Sequence, residues 1–485
     1  MAALLRWFLA SSICAVLASG CASSGPKVAR PRAAVVTAGS AAPSAAPPEH
    51  GPAAEPVAAP SAAPPGDGRV AAQVEWPPGT QSLTVQDIAH VLREPLDGAR
   101  YIGKIMNGTR VAWKRVVLPD PPDPKKHRRK KPCPSWAEIE PRGFLCTDLL
   151  EPSSEPPAGR KQPIVRSGRL VPDEYYKVSA DETKVYKSED DVRAEVVEKE
   201  ISTKVMLVGQ GTIDIDGTPY QKTDHGLVEE AALARFWPSD YEGLKLSEHP
   251  SVVWPVAFVF FERGARKPSV LAAPETSAER LRSATRREMV KLLEERDGYV
   301  RIGEGEWIER KYVRVATVAT PPAGVGDTDQ WIDVDLEEQV LVAYEGKKPV
   351  FLTLVSTGGK KHPTRTATYH VRAKAATTPM AGDPTVPNRY EVSAVPWAVR
   401  FANGLFIHGV YWHDGFGGAR SHGCVNVSPK DAKFIYEWVR PEVPDGWSEV
   451  EVPGGEGAIV RVHDRAHPDP PPFDYTKEEP WNMPK

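Results

Sequence analysis

Hydrophobic and polar positions divide the chain into stretches of different character. The first twenty residues hold Arg6 and then an apolar run through Ile13 and Leu17, too short to span a bilayer. From Ala22 to about Pro78 there is no apolar period; Ala, Pro, Gly and Ser dominate, and such a segment buries too little surface to fold. Alternation begins near Leu83. Between Tyr101 and Trp113 apolar residues flank Asn107-Gly108, a hairpin pattern that continues through Trp136, Ile139 and Gly143-Phe144-Leu145-Cys146. Short strands separated by glycine turns recur from Val205 to Val228 and from Arg287 to Val315. From Trp331 onward Ile332, Val334 and Leu336 alternate with acids, and the runs Val340–Tyr344 and Pro349–Leu354 face each other across Glu345-Gly346-Lys347-Lys348. Ser428 as N-cap and Pro429 at the first helical position open a helix through Ile435, Tyr436 and Trp438. The pattern predicts a mostly β chain with a short helix, ending in a Pro-rich tail.

At 485 residues the chain exceeds one core, since a domain commonly takes roughly 100–200 residues. The expected division is a secretory signal over 1–21, a disordered linker over 22–80, β-rich regions over 81–200 and 201–325, a C-terminal domain over 326–465 and a disordered tail over 466–485. A formal net charge of −3 gives no global basic field, so nucleic acid is not an expected partner. The one strong charge run, Lys125-Lys126-His127-Arg128-Arg129-Lys130-Lys131, is either a solvated loop or a contact for anionic envelope polymers.

Of the five cysteines, Cys14 falls in the signal. The ending Ala18-Ser19-Gly20-Cys21 resembles a bacterial lipobox, with alanine where leucine is usual, and this implies a lipid on Cys21 and anchoring to an envelope membrane. Cys133 and Cys146 are near enough in sequence to close a loop as a disulfide in an oxidising compartment. Cys424 is then left unpaired, which marks it as a reactive thiol.

Around that thiol stand Phe406-Ile407-His408-Gly409, Tyr411-Trp412-His413-Asp414 and Arg420-Ser421-His422-Gly423-Cys424-Val425-Asn426. A thiol attacking an amide carbonyl must become a thiolate, and an imidazole can take its proton; His408 is the candidate base. Gly423 permits a tight turn whose N–H groups can face an oxyanion. A carbonyl at Gly409 would orient the imidazole. A zinc site from His408, His413, His422 and Cys424 is the other chemistry these residue types allow, although the spacing of the usual hydrolase motifs is missing.

His408-Gly409 followed by Ser421-His422-Gly423-Cys424-Val425-Asn426 resembles the signature of the L,D-transpeptidase catalytic domain of YkuD type, over about Trp331 to Val462. The resemblance implies a β-sandwich with a short helix, no cofactor, and peptidoglycan peptide stems as partners. It implies Cys424 as nucleophile, His408 as base, Gly409 as the orienting carbonyl and Gly423 with Cys424 as oxyanion donors. Ser421 and His422 match positions that shape the pocket, and Arg420 and Asn426 beside them are expected to bind substrate. His413 either binds substrate or packs on Trp412. Where the family has Thr-Pro-x-Gly after the first hairpin, this chain has His362-Pro363-Thr364-Arg365. The two β-rich regions resemble SH3-like modules, with Asp297-Gly298-Tyr299-Val300 and a later Trp307; generic β structure is the alternative. The implied reaction is formation of a thioester on a tetrapeptide stem with loss of D-alanine, then transfer to an amine to give a 3→3 cross-link in the periplasm. With water as acceptor it is a carboxypeptidase, with a protein amine it attaches that protein to the wall, and without turnover the chain is a wall-binding lipoprotein.

Overall fold

A computed structural model describes residues 76–118, 132–383, 385 and 389–478. The expected signal, Cys21, nearly all of the expected linker and the basic run at 125–131 lie outside the described residues. Trp76, which composition placed in the linker, packs against the first hydrophobic core. Among the described residues the chain is mostly β, with two α-helices, Glu189–Arg193 and Pro429–Trp438.

Three β units precede the C-terminal domain, each with its own core. Leu83, Val91, Ile105 and Leu145 centre the first, Val178, Val185, Leu207 and Val228 the second, and Val259, Val270, Val300 and Ile308 the third. In each, a strand runs through a single 3₁₀ turn into its successor: Phe144–Cys146 into Leu150–Ser153, Gly226–Glu229 into Leu233–Arg235, and Glu306–Glu309 into Val313–Ala316. The division into 81–200 and 201–325 is therefore corrected. Position 200 lies inside the strand Lys199–Ile201, which pairs with Thr183–Val185 within the second unit. That unit opens with strands of three to five residues whose exposed faces are charged, too short for alternation to stand out. Cys133 and Cys146 form the expected disulfide in the first unit, with Cα atoms 5.7 Å apart, and Cys424 is the free cysteine among the described residues.

The C-terminal domain stacks two sheets. In one, Lys348–Leu354, Val340–Glu345, Gln330–Asp335, Ile459–His463 and Ala367–His370 lie side by side. The apolar run Val340–Tyr344 is buried on both faces, which is why it is continuous rather than alternating. The other sheet sets Ala373–Ala381 against Glu391–Ala402, then Leu405–Gly409 and Val425–Val427. Between them Ile332, Leu341, Phe351, Tyr369, Val399, Phe401 and Ile407 are essentially inaccessible to solvent, and the helix Pro429–Trp438 seals the core with Ala432, Ile435 and Tyr436. Its N-cap is as predicted: Ser428 Oγ accepts from Asp431 N at 3.1 Å and Pro429 opens the first turn.

This second sheet continues into two of the preceding units. Glu391–Ala402 pairs in parallel with Val205–Ile215 of the second unit, bringing Met206 opposite Val392. Trp447–Glu451 pairs with both Ala373–Ala381 and Tyr101–Ile105, and Trp447 is buried in the first unit's core. Gly103 is required there, because a Cβ would lie 2.3 Å from the Trp447 ring.

The expected disordered tail is also corrected over residues 466–478. Phe473 N donates to Thr368 O, the Phe473 ring lies 4.7 Å from that of Tyr369, and Tyr475 Oη donates to Phe401 O at 3.0 Å. The prolines of this stretch suppress helix and strand, but two aromatic residues carry enough apolar surface to dock it.

Candidate active site

Cys424 and His408 come together because their segments are neighbours in one sheet. Leu405–Gly409 and Val425–Val427 run parallel with His408 opposite Asn426, so Cys424, just before the second strand, stands beside Phe406, two positions before His408. Both residues line a cavity of about 380 Å³ whose walls include Met206, Met380, Tyr390, Val392 and Trp412.

The turn that presents the thiol is held at several points. Gly423 has φ +118°, a conformation only glycine adopts readily. Its carbonyl accepts from Thr364 Oγ1 at 2.7 Å, and Thr364 Oγ1 in turn accepts from Gly358 N at 2.9 Å. The Cys424 carbonyl accepts from Ser421 Oγ at 2.5 Å. Gly423 N donates to the same Ser421 hydroxyl at 3.0 Å. The Gly423 N–H expected to face an oxyanion is therefore committed to Ser421 in this state.

His408 is 2 % exposed, and its Nδ1 lies 3.1 Å from the carbonyl of its neighbour Gly409. A carbonyl can only accept, so Nδ1 carries the proton and the Nε2 lone pair is left for a base. Burial pushes the imidazole down to about 4, opposed by that hydrogen bond. Burial likewise pushes the Cys424 thiol up to about 12. Its Sγ lies 3.4 Å from Gly404 O. The resting pair is thus neutral thiol and neutral imidazole.

His413 lines the cavity rather than simply packing on Trp412. Its Nδ1 accepts from Gly415 N at 3.2 Å, and burial, with Arg420 and His408 nearby, holds the ring neutral by pushing it down to about 3. The ring proton is therefore on Nε2, which lies 3.0 Å from Asn426 Nδ2, and two donors cannot bond each other. Turning the amide end for end, so that its oxygen accepts from Nε2–H, satisfies both groups. The position of Asn426 Oδ1, taken by the NH₂ after that turn, has no protein partner; Asn426 is 3 % exposed and lines the cavity. Its NH₂ is thus offered to whatever occupies the site.

His422 stands at the rim, its ring 4.8 Å from that of His362 and 4.7 Å from that of Tyr390. Arg420 lines the cavity, with its guanidinium paired to Glu262 of the third unit at 2.5 Å. His408, His413, His422 and Cys424 line one cavity, but among the described residues no group of three or more His, Cys, Asp or Glu side chains gathers in a metal-holding arrangement. Thr364, Tyr390, Met380 and Met206 are the participants that motif reading missed. The departure at His362-Pro363-Thr364-Arg365 was a signal for Thr364; Met206 comes from another unit and had none.

No curated protein matches the chain. Among solved structures, a mutant of the Enterococcus faecium L,D-transpeptidase is 26% identical, with 28% of this chain and 50% of that chain covered and a TM-score of 0.23. The chain thus spans half the length of that protein. An L,D-transpeptidase from Stackebrandtia nassauensis is 26% identical over 28% of this chain and 57% of that one, with a TM-score of 0.20. One from Mycobacterium smegmatis is 24% identical over 44% of this chain and 92% of that one, with a TM-score of 0.24. Residues 329–469, the segment that carries Cys424 and His408, match the family model YkuD, the L,D-transpeptidase catalytic domain.

Proposed function

We propose that the protein is a peptidoglycan L,D-transpeptidase. The observation that carries this reading is the shared cavity of Cys424 and His408, with His408 Nδ1 tied to Gly409 O, inside the segment that matches the L,D-transpeptidase catalytic domain. His408 Nε2 takes the thiol proton as Sγ attacks the carbonyl between the L-centred third residue and the terminal D-alanine of a tetrapeptide stem. Collapse of the tetrahedral intermediate breaks the C–N bond, and the proton passes to the departing amine of D-alanine. The thioester is then attacked by the amine of a neighbouring stem, Cys424 leaves as thiol, and a 3→3 cross-link forms. The Asn426 NH₂ and the rim residues Arg420, Ser421 and His422 bind the donor stem.

The three β units act as SH3-like modules that present the site to the wall. Cys21 carries a lipid that anchors the chain to an envelope membrane in the periplasm.

The chain lacking residues 1–75 is incubated with disaccharide-tetrapeptide beside Cys424→Ala, with products identified by mass spectrometry. Dimers with loss of D-alanine that are absent in the variant are expected. Tripeptide monomers alone would assign water as the acceptor and make it an L,D-carboxypeptidase. Cross-links persisting in Cys424→Ala would overturn the reading, and no turnover in either protein would favour a wall-binding lipoprotein or a protein amine as acceptor.

A further inference from the structure

The loop between His413 and Arg420 is held from two sides. From within the C-terminal domain, Gly417 N donates to Val355 O at 2.7 Å and Ser356 Oγ donates to Gly418 O at 2.7 Å. From outside residues 329–469, Arg286 Nη1 donates to Asp414 Oδ2 at 2.7 Å, Arg287 donates to Asp414 Oδ1 and to its carbonyl, and Ser239 Oγ donates to Oδ1 at 2.5 Å. All three oxygens of Asp414 are therefore bonded by residues that lie beyond the matched segment. Phe260 of the third unit sits on Gly417 and Gly418, where an added Cβ would lie 2.4 Å and 2.8 Å from its ring, and Arg314 Nε donates to Gly417 O at 2.7 Å. Arg287 itself has φ +63°, a region disfavoured for a residue with a side chain, and its guanidinium lies 4.3 Å over the Tyr241 ring. Backbone strain retained at a residue that grips a loop of the cavity points to a role in that loop's geometry.

We propose that Arg286 and Arg287 are positioning residues of the active site: from the third β unit they fix Asp414, and through it the His413–Asn426 pair that faces the donor stem. The inference rests on the function proposed above for the identity of the donor, but not for the clamp itself. Asp414 is bonded to His413 through one peptide unit, His413 takes its tautomer from Gly415 N within the same loop, and His413 Nε2–H sets which end of the Asn426 amide turns to the cavity. Release of Asp414 would loosen this chain while leaving Cys424 and His408, on their own strands, in place.

The test compares Asp414→Asn with Glu306→Gln in the chain lacking residues 1–75. Glu306 pairs with Arg282 at 3.0 Å in the same unit, so its variant reports a comparable structural loss away from the loop. Asp414→Asn is expected to raise the KM for the tetrapeptide donor about tenfold with kcat little changed, the pattern of lost ground-state positioning. The rate of Cys424 alkylation by iodoacetamide is expected to stay within about twofold of the parent, and Glu306→Gln to leave KM unchanged. Equal KM changes in the two variants, or none in Asp414→Asn, would overturn the proposal. Hydrogen exchange over residues 411–421 reads the clamp without any donor. Faster exchange in Asp414→Asn alone supports it even if the chain turns over no stem, and unchanged exchange sinks it.

Discussion

Burial keeps the thiol and the imidazole of the cavity neutral: Cys424 is pushed up to about 12 and His408 down to about 4. Between these values the thiolate is a minor species whose fraction grows about tenfold per pH unit. Alkylation of Cys424 by iodoacetamide, followed by intact mass, is therefore expected to climb from pH 6 to pH 10 with no plateau. A plateau reached below pH 7 would reveal a preformed thiolate–imidazolium pair. The sign follows from the raised thiol value: raising pH supplies the reactive form, and His408, already neutral above about pH 4, adds no second inflection. Cys424, His408 and Gly409 were legible in the sequence because each lies in a short motif and the two motifs end on adjacent strands. Thr364 grips Gly423 from 59 positions away and Arg287 grips Asp414 from 127 positions away. Side-chain pattern along a chain does not encode partners at such distances.

At the scale of single elements, the C-terminal hairpin and the helix after Cys424 were the clearest in the sequence. The first has an uninterrupted apolar run and the second a complete N-terminal signal. Ser428 is fully buried and caps the helix, and Asp431 in the first turn accepts from Gly243 N at 2.8 Å and from Thr353 Oγ1 at 2.6 Å. Ser428→Ala is expected to cost about 1 kcal/mol, read as a shift in urea midpoint at unchanged slope. A change below a few tenths would mean that the Asp431 contacts alone hold the helix start. The strands of the second unit between Glu174 and Ile201 were illegible for the opposite reason. They are brief and charged on their open faces; Glu174–Val178 pairs with Val205–Ile215, and among the described residues Thr183–Val185 pairs only with Lys199–Ile201.

For the whole molecule, the domain read from the motif is not a free-standing body. Glu391 and Val392, at the start of the strand Glu391–Ala402, lose their parallel partners Val205 and Met206 if the second unit is removed, and Trp447 loses the core that buries it if the first unit is removed. Open strand edges and a stranded tryptophan favour aggregation. Residues 326–465 expressed alone are therefore expected to aggregate or to unfold at least 10 °C below the chain lacking residues 1–75, as read by thermal scanning; a monomer of equal Tm would show that the units are separable. The mostly β class was legible because alternation is a local signal, whereas the joining of units into one sheet depends on register between distant strands.

The seam between Tyr101–Ile105 and Trp447–Glu451 also sets an order in time. Thr109 and Gly446, which share a hydrogen bond there, are 337 positions apart. A ribosome adding about 5–20 residues per second takes roughly 20 to 70 seconds to cover that distance. Throughout that interval the first unit has no Trp447 to close on, and its apolar face stands open to any factor that holds nascent chains.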